Sequence, residues 1–185
     1  MEYRTFSTEG IILARRNFGE ADRLLTVFSK HYGKIRAIAK GVRRPSSRKR
    51  GSLELFSCAK LLFTKGRNID LITDVELKDG FSSWRKDLLR VGIAYHLCEV
   101  VNRLTVEGQE HREIFELLFD SLGSLAETDY WQLHGLVYSF KVFVLQELGF
   151  LERERSAPGD IDRYIESIID GPLRTKRFLK NLKNG

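Results

Sequence analysis

Residues 24–40 read LLTVFSKHYGKIRAIAK, and this stretch decides the fold expected for the first part of the chain. It contains two runs rich in β-forming residues, Leu24–Ser29 and Lys34–Lys40, separated by the short break His31-Tyr32-Gly33. A short break that carries a glycine is typical of a β-hairpin. The stretch therefore predicts two adjacent antiparallel strands.

Three further β-rich runs surround this hairpin. They are Glu9–Arg15 before it, and Ala59–Thr64 and Leu71–Leu77 after it, the last two joined across residues 65–68. Five short strands in about eighty residues match the strand count of an OB-fold, a small closed β-barrel. We therefore expect an OB-fold barrel over residues 1–80.

The hydrophobic pattern changes to a helical period after Asp79-Gly80. Helices are predicted from a cap at Ser82 or Ser83 to Leu104, and over Glu110–Leu125, Tyr130–Leu148, Asp160–Ile169 and Leu173–Leu182. Gly149 is expected to end the third of them in a left-handed cap. The predicted fold class is α+β, with an N-terminal OB-fold β-barrel followed by an all-α helical domain over residues 81–185.

Positive charge is concentrated in the predicted barrel. Residues 1–80 hold 17 lysines and arginines against 9 acidic residues, whereas residues 81–151 hold 6 against 10. Between Lys30 and Arg50 there are nine basic residues and no acidic one. Clustered charge of one sign attracts a polyanion, and a solvated loop that only aids solubility would not explain so many unneutralised cations. The pattern favours nucleic-acid binding.

The candidate phosphate contacts follow from strand alternation and from the basic loop after it. Lys34, Arg36 and Lys40 are expected on the outer face of their strand, opposite Ile35, Ala37 and Ala39. The candidates are Lys34, Arg36, Lys40, Arg43, Arg44, Arg48, Lys49 and Arg50. The planar fork of arginine suits phosphate oxygens. Aromatic residues are sparse among these cations, and Phe18 and Tyr32 are the better stacking candidates, so weak sequence preference is expected.

The sequence offers little that points to catalysis. The four histidines are scattered, no glycine-rich phosphate loop is present, and no CxxC pattern occurs. We therefore expect no enzymatic activity, no cofactor and no metal. Two alternatives stay open, namely an RNA-binding OB-fold protein of translation or RNA processing, and a nuclease that uses Glu110 or Glu113 with a metal ion.

The expected location follows from what the chain lacks. No apolar run approaches the roughly 18 uncharged residues of a membrane span. The two cysteines, Cys58 and Cys98, lie in apolar surroundings and fit a core role in a reducing compartment. A cytoplasmic protein without a membrane partner is predicted.

Several stretches resemble the RecO family of DNA repair proteins. The resemblance is carried by Glu9–Leu13, Phe18–Phe28 and Tyr32–Pro45 and continues, in order, through Leu53–Phe56, Gly66–Ile72, Leu148–Phe150 and Gly171–Leu179. It implies a recombination mediator that binds single- and double-stranded DNA and anneals complementary strands. The implied partners are RecR, single-stranded DNA-binding protein and, indirectly, RecA, in a nucleoid-associated location. It also adds Arg67, on the opposite hairpin, to the DNA surface.

The chain departs from the family pattern in one respect. Many relatives carry a four-cysteine zinc motif soon after the Leu-Gly-Phe stretch, whereas Leu151–Asp160 contains no cysteine. A variant without structural zinc is therefore expected. The acidic tail of the single-strand-binding partner is expected on the helical domain, with Lys141, Arg174, Lys176 and Arg177 as candidate contacts.

Overall fold

A computed structural model of the chain describes residues 5–154 and 156–177. The strands are β1 Thr5–Phe18, β2 Asp22–Ser29, β3 Gly33–Ala39, β4 Cys58–Thr64 and β5 Asp70–Asp79, with a 3-10 turn at Gly51–Leu53. The helices are α1 Leu88–Leu104, α2 Arg112–Ser124, α3 Tyr130–Glu147 and α4 Ile161–Ile168. The described elements therefore follow the predicted order of strands first and helices second.

The five strands form a closed barrel in the order β1-β2-β3-β5-β4. Strand β1 is long enough to pair with two neighbours, because its first half is antiparallel to β4 and its second half to β2. A register shift between Ile12 and Ala14 marks the change, as a β-bulge does where a barrel strand bends. The parallel pairing of β3 with β5 closes the sheet. The OB-fold prediction is confirmed.

The barrel core is built from the inward residues of these strands. Ile35, Ala37 and Ala39 of β3 are buried and Arg36 and Lys40 are exposed, as predicted, but Lys34 is only half-buried and Ile38, on the same side as Arg36, is buried as well. The same core contains Ile12, Leu25, Val27, Val42, Leu53, Ala59, Leu61, Phe63 and Ile72. Packing of one face thus leaves the cations on the other.

The start of the first helix differs from the prediction. Asp87, not Ser82 or Ser83, is the N-cap of α1, and its side chain accepts hydrogen bonds from the backbone N–H groups of Leu89 and Arg90. A carboxylate that satisfies two of the free N–H groups of the first turn is a strong cap. The end of α3 is as predicted, because Gly149 has a φ of 76° and the N–H of Phe150 bonds to the carbonyl of Leu145 at 2.8 Å.

The described residues group into two compact units that do not divide the chain at one point. Residues 5–80 form the first unit together with Val106–Phe115, and the remaining described residues form the second. The segment between α1 and α2 is therefore part of the barrel unit. Whether residues 1–80 and 81–185 fold as independent domains stays a prediction.

Two further findings concern the helices. In place of the start of the predicted last helix, residues 174–177 form a 3-10 turn, and its continuation from residue 178 lies outside the described residues. Within the described ranges, no helix is both long enough and apolar enough to span a bilayer.

Candidate nucleic-acid interface

The barrel unit contains a groove of about 1000 Å³ between the start of β3 and the loop that joins β4 to β5. Lys34 and Arg36 line it from β3, and Lys65 and Arg67 line it from the β4–β5 loop. The pairing of Ala37 with Asp70, where β3 meets β5, brings these two segments together. Four cations from distant parts of the sequence therefore meet in one groove.

Three of these four cations were predicted site residues, namely Lys34, Arg36 and Arg67. Lys65 was not, although it lies only two residues before Arg67 in the same loop. Burial lowers the pKa of Lys34, and the neighbouring Glu107 carboxylate offsets part of that shift. The groove itself is mixed in charge, because Asp70, Glu107 and Glu110 also line it.

The other predicted cations lie outside the groove. They are Lys40, directly after β3, and the basic residues of the loop that follows it. Arg44, Arg48 and Arg50 are exposed, whereas Arg43 and Lys49 are half-buried. The Arg43 guanidinium donates to the Gly19 carbonyl at 3.3 Å, and the Lys49 ammonium donates to the Ile72 carbonyl at 3.5 Å. These last two side chains thus help to attach the loop to the barrel.

The loop has a defined backbone. The N–H of Gly41 donates to the Asp22 carboxylate at 2.7 Å, and the N–H of Arg43 donates to the Ala21 carbonyl at 2.9 Å. Successive turns follow, with hydrogen bonds from Arg44 to Gly41 and from Ser47 to Arg44. An ordered loop presents its cations with little further loss of conformational entropy on binding.

The exposed arginines of this loop are not neutralised by neighbours. Among residues 5–154 and 156–177, no acidic side chain forms an ion pair with Arg44, Arg48 or Arg50. The same holds for Arg67 within these ranges, whereas Arg36 lies 3.8 Å from a Glu107 carboxylate oxygen. The positive potential of the loop is therefore available to a polyanion.

An acidic strap, residues 106–110, covers one edge of the groove. The N–H of Gly108 donates to the Lys34 carbonyl at 3.0 Å, and Glu110 lies 3.5 Å from Nδ1 of His31. Gly33, with a φ of 63°, permits this contact, because a β-carbon there would collide with the backbone of Gln109. The Arg36–Glu107 ion pair is half-exposed, so it is worth at most about 1 kcal/mol.

Local sequence patterns did not reveal the strap. The nuclease alternative names Glu110 or Glu113, and Glu110 lies 3.5 Å from Nδ1 of the barrel residue His31. Over the described ranges, no three His, Cys, Asp or Glu side chains are grouped so that they could hold a metal ion. The nuclease alternative stays a prediction for the cleavage assay to test.

The two cysteines do not fit a zinc site. Cys58 lies buried in β4 and Cys98 lies buried in α1. Burial is the main cause that raises the pKa of each thiol to about 12, so neither is a ready metal ligand. The expectation of a variant without structural zinc stays a prediction.

One candidate for the partner tail is wrong. Lys141 is only 4% exposed and forms an ion pair with Asp162 at 2.7 Å, so it is not accessible to a peptide. Lys176 pairs with Glu166 at 3.2 Å, whereas Arg174 and Arg177 are exposed. Sequence alone did not show that α3 turns Lys141 inward.

Fold and site together define a class of protein, an OB-fold barrel with an unneutralised cationic surface, followed by helices. Residues 1–81 match the family described as recombination protein O N terminal, and residues 85–151 match recombination protein O C terminal. The chain belongs to the recombination protein O family.

Individual relatives agree with this assignment. The chain is 35% identical over 147 residues to DNA repair protein RecO of Pelotomaculum thermopropionicum, covering 80% of this chain and 56% of the relative. It is 40% identical over 117 residues to DNA repair protein RecO of Desulfitobacterium hafniense, covering 63% of this chain and 43% of the relative. For DNA repair protein RecO of Roseiflexus, the identity is 39% over 125 residues, covering 68% of this chain and 44% of the relative. The chain thus spans about half the length of these relatives.

Proposed function

We propose that the chain is a non-enzymatic DNA-binding recombination mediator. It binds DNA through the four cations of the groove and through the basic loop of its barrel, anneals complementary strands, and helps RecA to load on single-stranded DNA together with RecR. The observation that carries the proposal is the set of exposed, unpaired guanidinium groups at Arg44, Arg48, Arg50 and Arg67 on an OB-fold barrel. Membership of a family whose relatives are named DNA repair proteins supports DNA as the ligand.

Annealing has a simple electrostatic basis. Two complementary strands repel each other through their phosphates, and a cationic surface that contacts both backbones screens this repulsion. The groove and the loop offer two groups of cations on one barrel unit, a suitable arrangement for contacting more than one stretch of backbone. No bond in the nucleic acid needs to be made or broken.

Annealing of complementary DNA strands coated with single-stranded DNA-binding protein tests the proposal. We expect the chain to accelerate duplex formation, to do so less with matched RNA strands, and to leave all strands intact with magnesium or manganese. Lack of acceleration would contradict the mediator role. A preference for RNA would favour the RNA-binding alternative, and strand cleavage would favour the nuclease.

The acidic strap gives a prediction of increased affinity. Replacing its carboxylates, as in E107Q/E110Q, is expected to strengthen binding of a DNA oligonucleotide at low salt by about two- to thirtyfold, because each of the two exposed charges contributes about 0.2–1 kcal/mol. Fluorescence anisotropy with a labelled oligonucleotide measures the change. The control E152Q/E154Q removes two exposed carboxylates outside the barrel unit. An equal gain in both variants would show that net charge alone matters.

A further inference from the structure

Three aromatic rings form a ladder from the barrel core to the groove. Phe63 is fully buried and stacks on Phe6, with ring centroids 5.0 Å apart and planes 10° apart. Phe6 in turn contacts Tyr32, with centroids 4.7 Å apart and planes tilted by 50°. Tyr32 is 45% exposed. The ladder therefore ends in a ring that is supported from within and open to solvent.

The surroundings of Tyr32 suit a nucleotide. Phe6 and Tyr32 line the same groove as the four cations Lys34, Arg36, Lys65 and Arg67. A volume of about 1000 Å³ is large enough for a small-molecule-sized ligand such as a nucleotide. Aromatic rings bind the faces of unpaired bases, while neighbouring cations bind the phosphates. The groove offers both kinds of contact.

The turn that carries Tyr32 is held in place by hydrogen bonds. The backbone N–H of Tyr32 donates to Oγ of Ser29 at 3.0 Å, and Oγ of Ser29 donates to the Gly33 carbonyl at 2.8 Å. Ser29 is itself buried. A ring fixed by its turn and by Phe6 loses little freedom when a base stacks on it.

We propose that Tyr32 is the stacking platform for an unpaired base in this groove, with the adjacent phosphates bound by Arg36, Lys65 and Arg67. The inference rests on the proposed DNA binding and narrows its ligand to a single strand at this subsite. Bases in a duplex are already stacked on their neighbours and are not free to stack on the ring. Tyr32 should therefore contribute to single-strand affinity and not to duplex affinity.

The test compares Y32A and Y32F in binding to a labelled oligothymidine and to a duplex of the same length. We expect Y32A to lower single-strand affinity by about 5- to 150-fold, which corresponds to about 1–3 kcal/mol per stacked base. Duplex affinity should change less than about twofold, and Y32F should bind both ligands like the wild type. The control W131A removes an aromatic side chain that is also exposed, at 75%, but lies in α3, outside the barrel unit, and it should leave both affinities unchanged.

Thermal unfolding checks that the variants fold. If Y32A does not fold, Y32L replaces it, because a leucine can still make an apolar contact to Phe6. Selective loss of single-strand binding in Y32A or Y32L, with binding retained in Y32F, supports the proposal. Unchanged single-strand affinity, or an equal loss on both ligands, overturns it while leaving the proposed function intact. Failure of the wild type to bind either ligand would instead overturn the proposed function, and this inference with it.

Discussion

Removing three exposed loop arginines, as in R44A/R48A/R50A, is expected to lower the affinity for single-stranded DNA about 100-fold at 0.1 M salt. If each guanidinium neutralises one phosphate, each contributes about −0.7 to the salt slope, which amounts to about two orders of magnitude for three contacts at this salt concentration. Fluorescence anisotropy with an oligothymidine measures the loss. Stability should be little affected, because these side chains are exposed and unpaired among the described residues.

The matched control is K86A/R163A/R174A, which removes three exposed cations of the helical unit. Both variants lower the formal net charge from +6 to +3. If the loop is the phosphate-binding surface, the control should bind DNA nearly as well as the wild type. Equal losses in the two variants would show a general charge effect and no specific surface.

The largest effect on stability is expected at the buried ion pair of the helical unit. Lys141 of α3 is 4% exposed, and Asp162 of α4 lies 2.7 Å from its Nζ. Burial lowers the pKa of Lys141, while Asp162 raises it in part. His96, whose Nε2 lies 3.7 Å from Asp162, has its pKa lowered to about 4 chiefly by burial, so it is neutral at pH 7. The charged partner of Asp162 is therefore Lys141 and not His96.

The substitution D162A is expected to reduce the free energy of unfolding by about 3–5 kcal/mol at pH 7, because it leaves a buried charge without a partner. Chemical denaturation measures the loss. The double variant K141M/D162A should recover much of it, since the buried charge is gone. The control E147A removes a carboxylate from a pair with the exposed Arg153 and should cost less than about 1 kcal/mol.

The pH dependence of D162A gives an independent check. A lysine with a lowered pKa in the folded protein binds fewer protons there than in the unfolded chain, so stability rises with pH. The defect of D162A should therefore shrink as the pH is raised from 7 toward 9. A defect that is constant over this range would mean that lost packing, not the unpaired charge, is its cause.

The barrel was predictable because its signals are local. The alternation from Lys34 to Lys40 indicates a strand and its outer face, and the turn at His31–Gly33 indicates the hairpin. The start of α1 was not predicted correctly, because Ser82, Ser83 and Asp87 are all acceptable caps and the choice depends on the contacts of the folded chain. Local preference therefore determined the elements but not each of their ends.

The candidate site was predictable only in part for the same reason. Exposed arginines such as Arg44 were predicted as site residues from the concentration of basic residues in one segment. Arg67 was predicted from the family resemblance. The acidic strap is more than 60 residues away in sequence from the β3 residues that it contacts, and no periodicity signals such a contact. Lys141 was misassigned because helical periodicity does not reveal that a partly buried aspartate partner lies on the next helix.

The salt dependence of single-strand binding by the wild-type chain tests the central claim, that an exposed cationic barrel surface binds the phosphate backbone. With about four to six phosphates neutralised, a plot of log affinity against log salt concentration should have a slope near −3 to −4. The slope of R44A/R48A/R50A should be shallower by about 2, because three contacts are lost. A wild-type slope near zero, or an unchanged slope in this variant, would contradict the account.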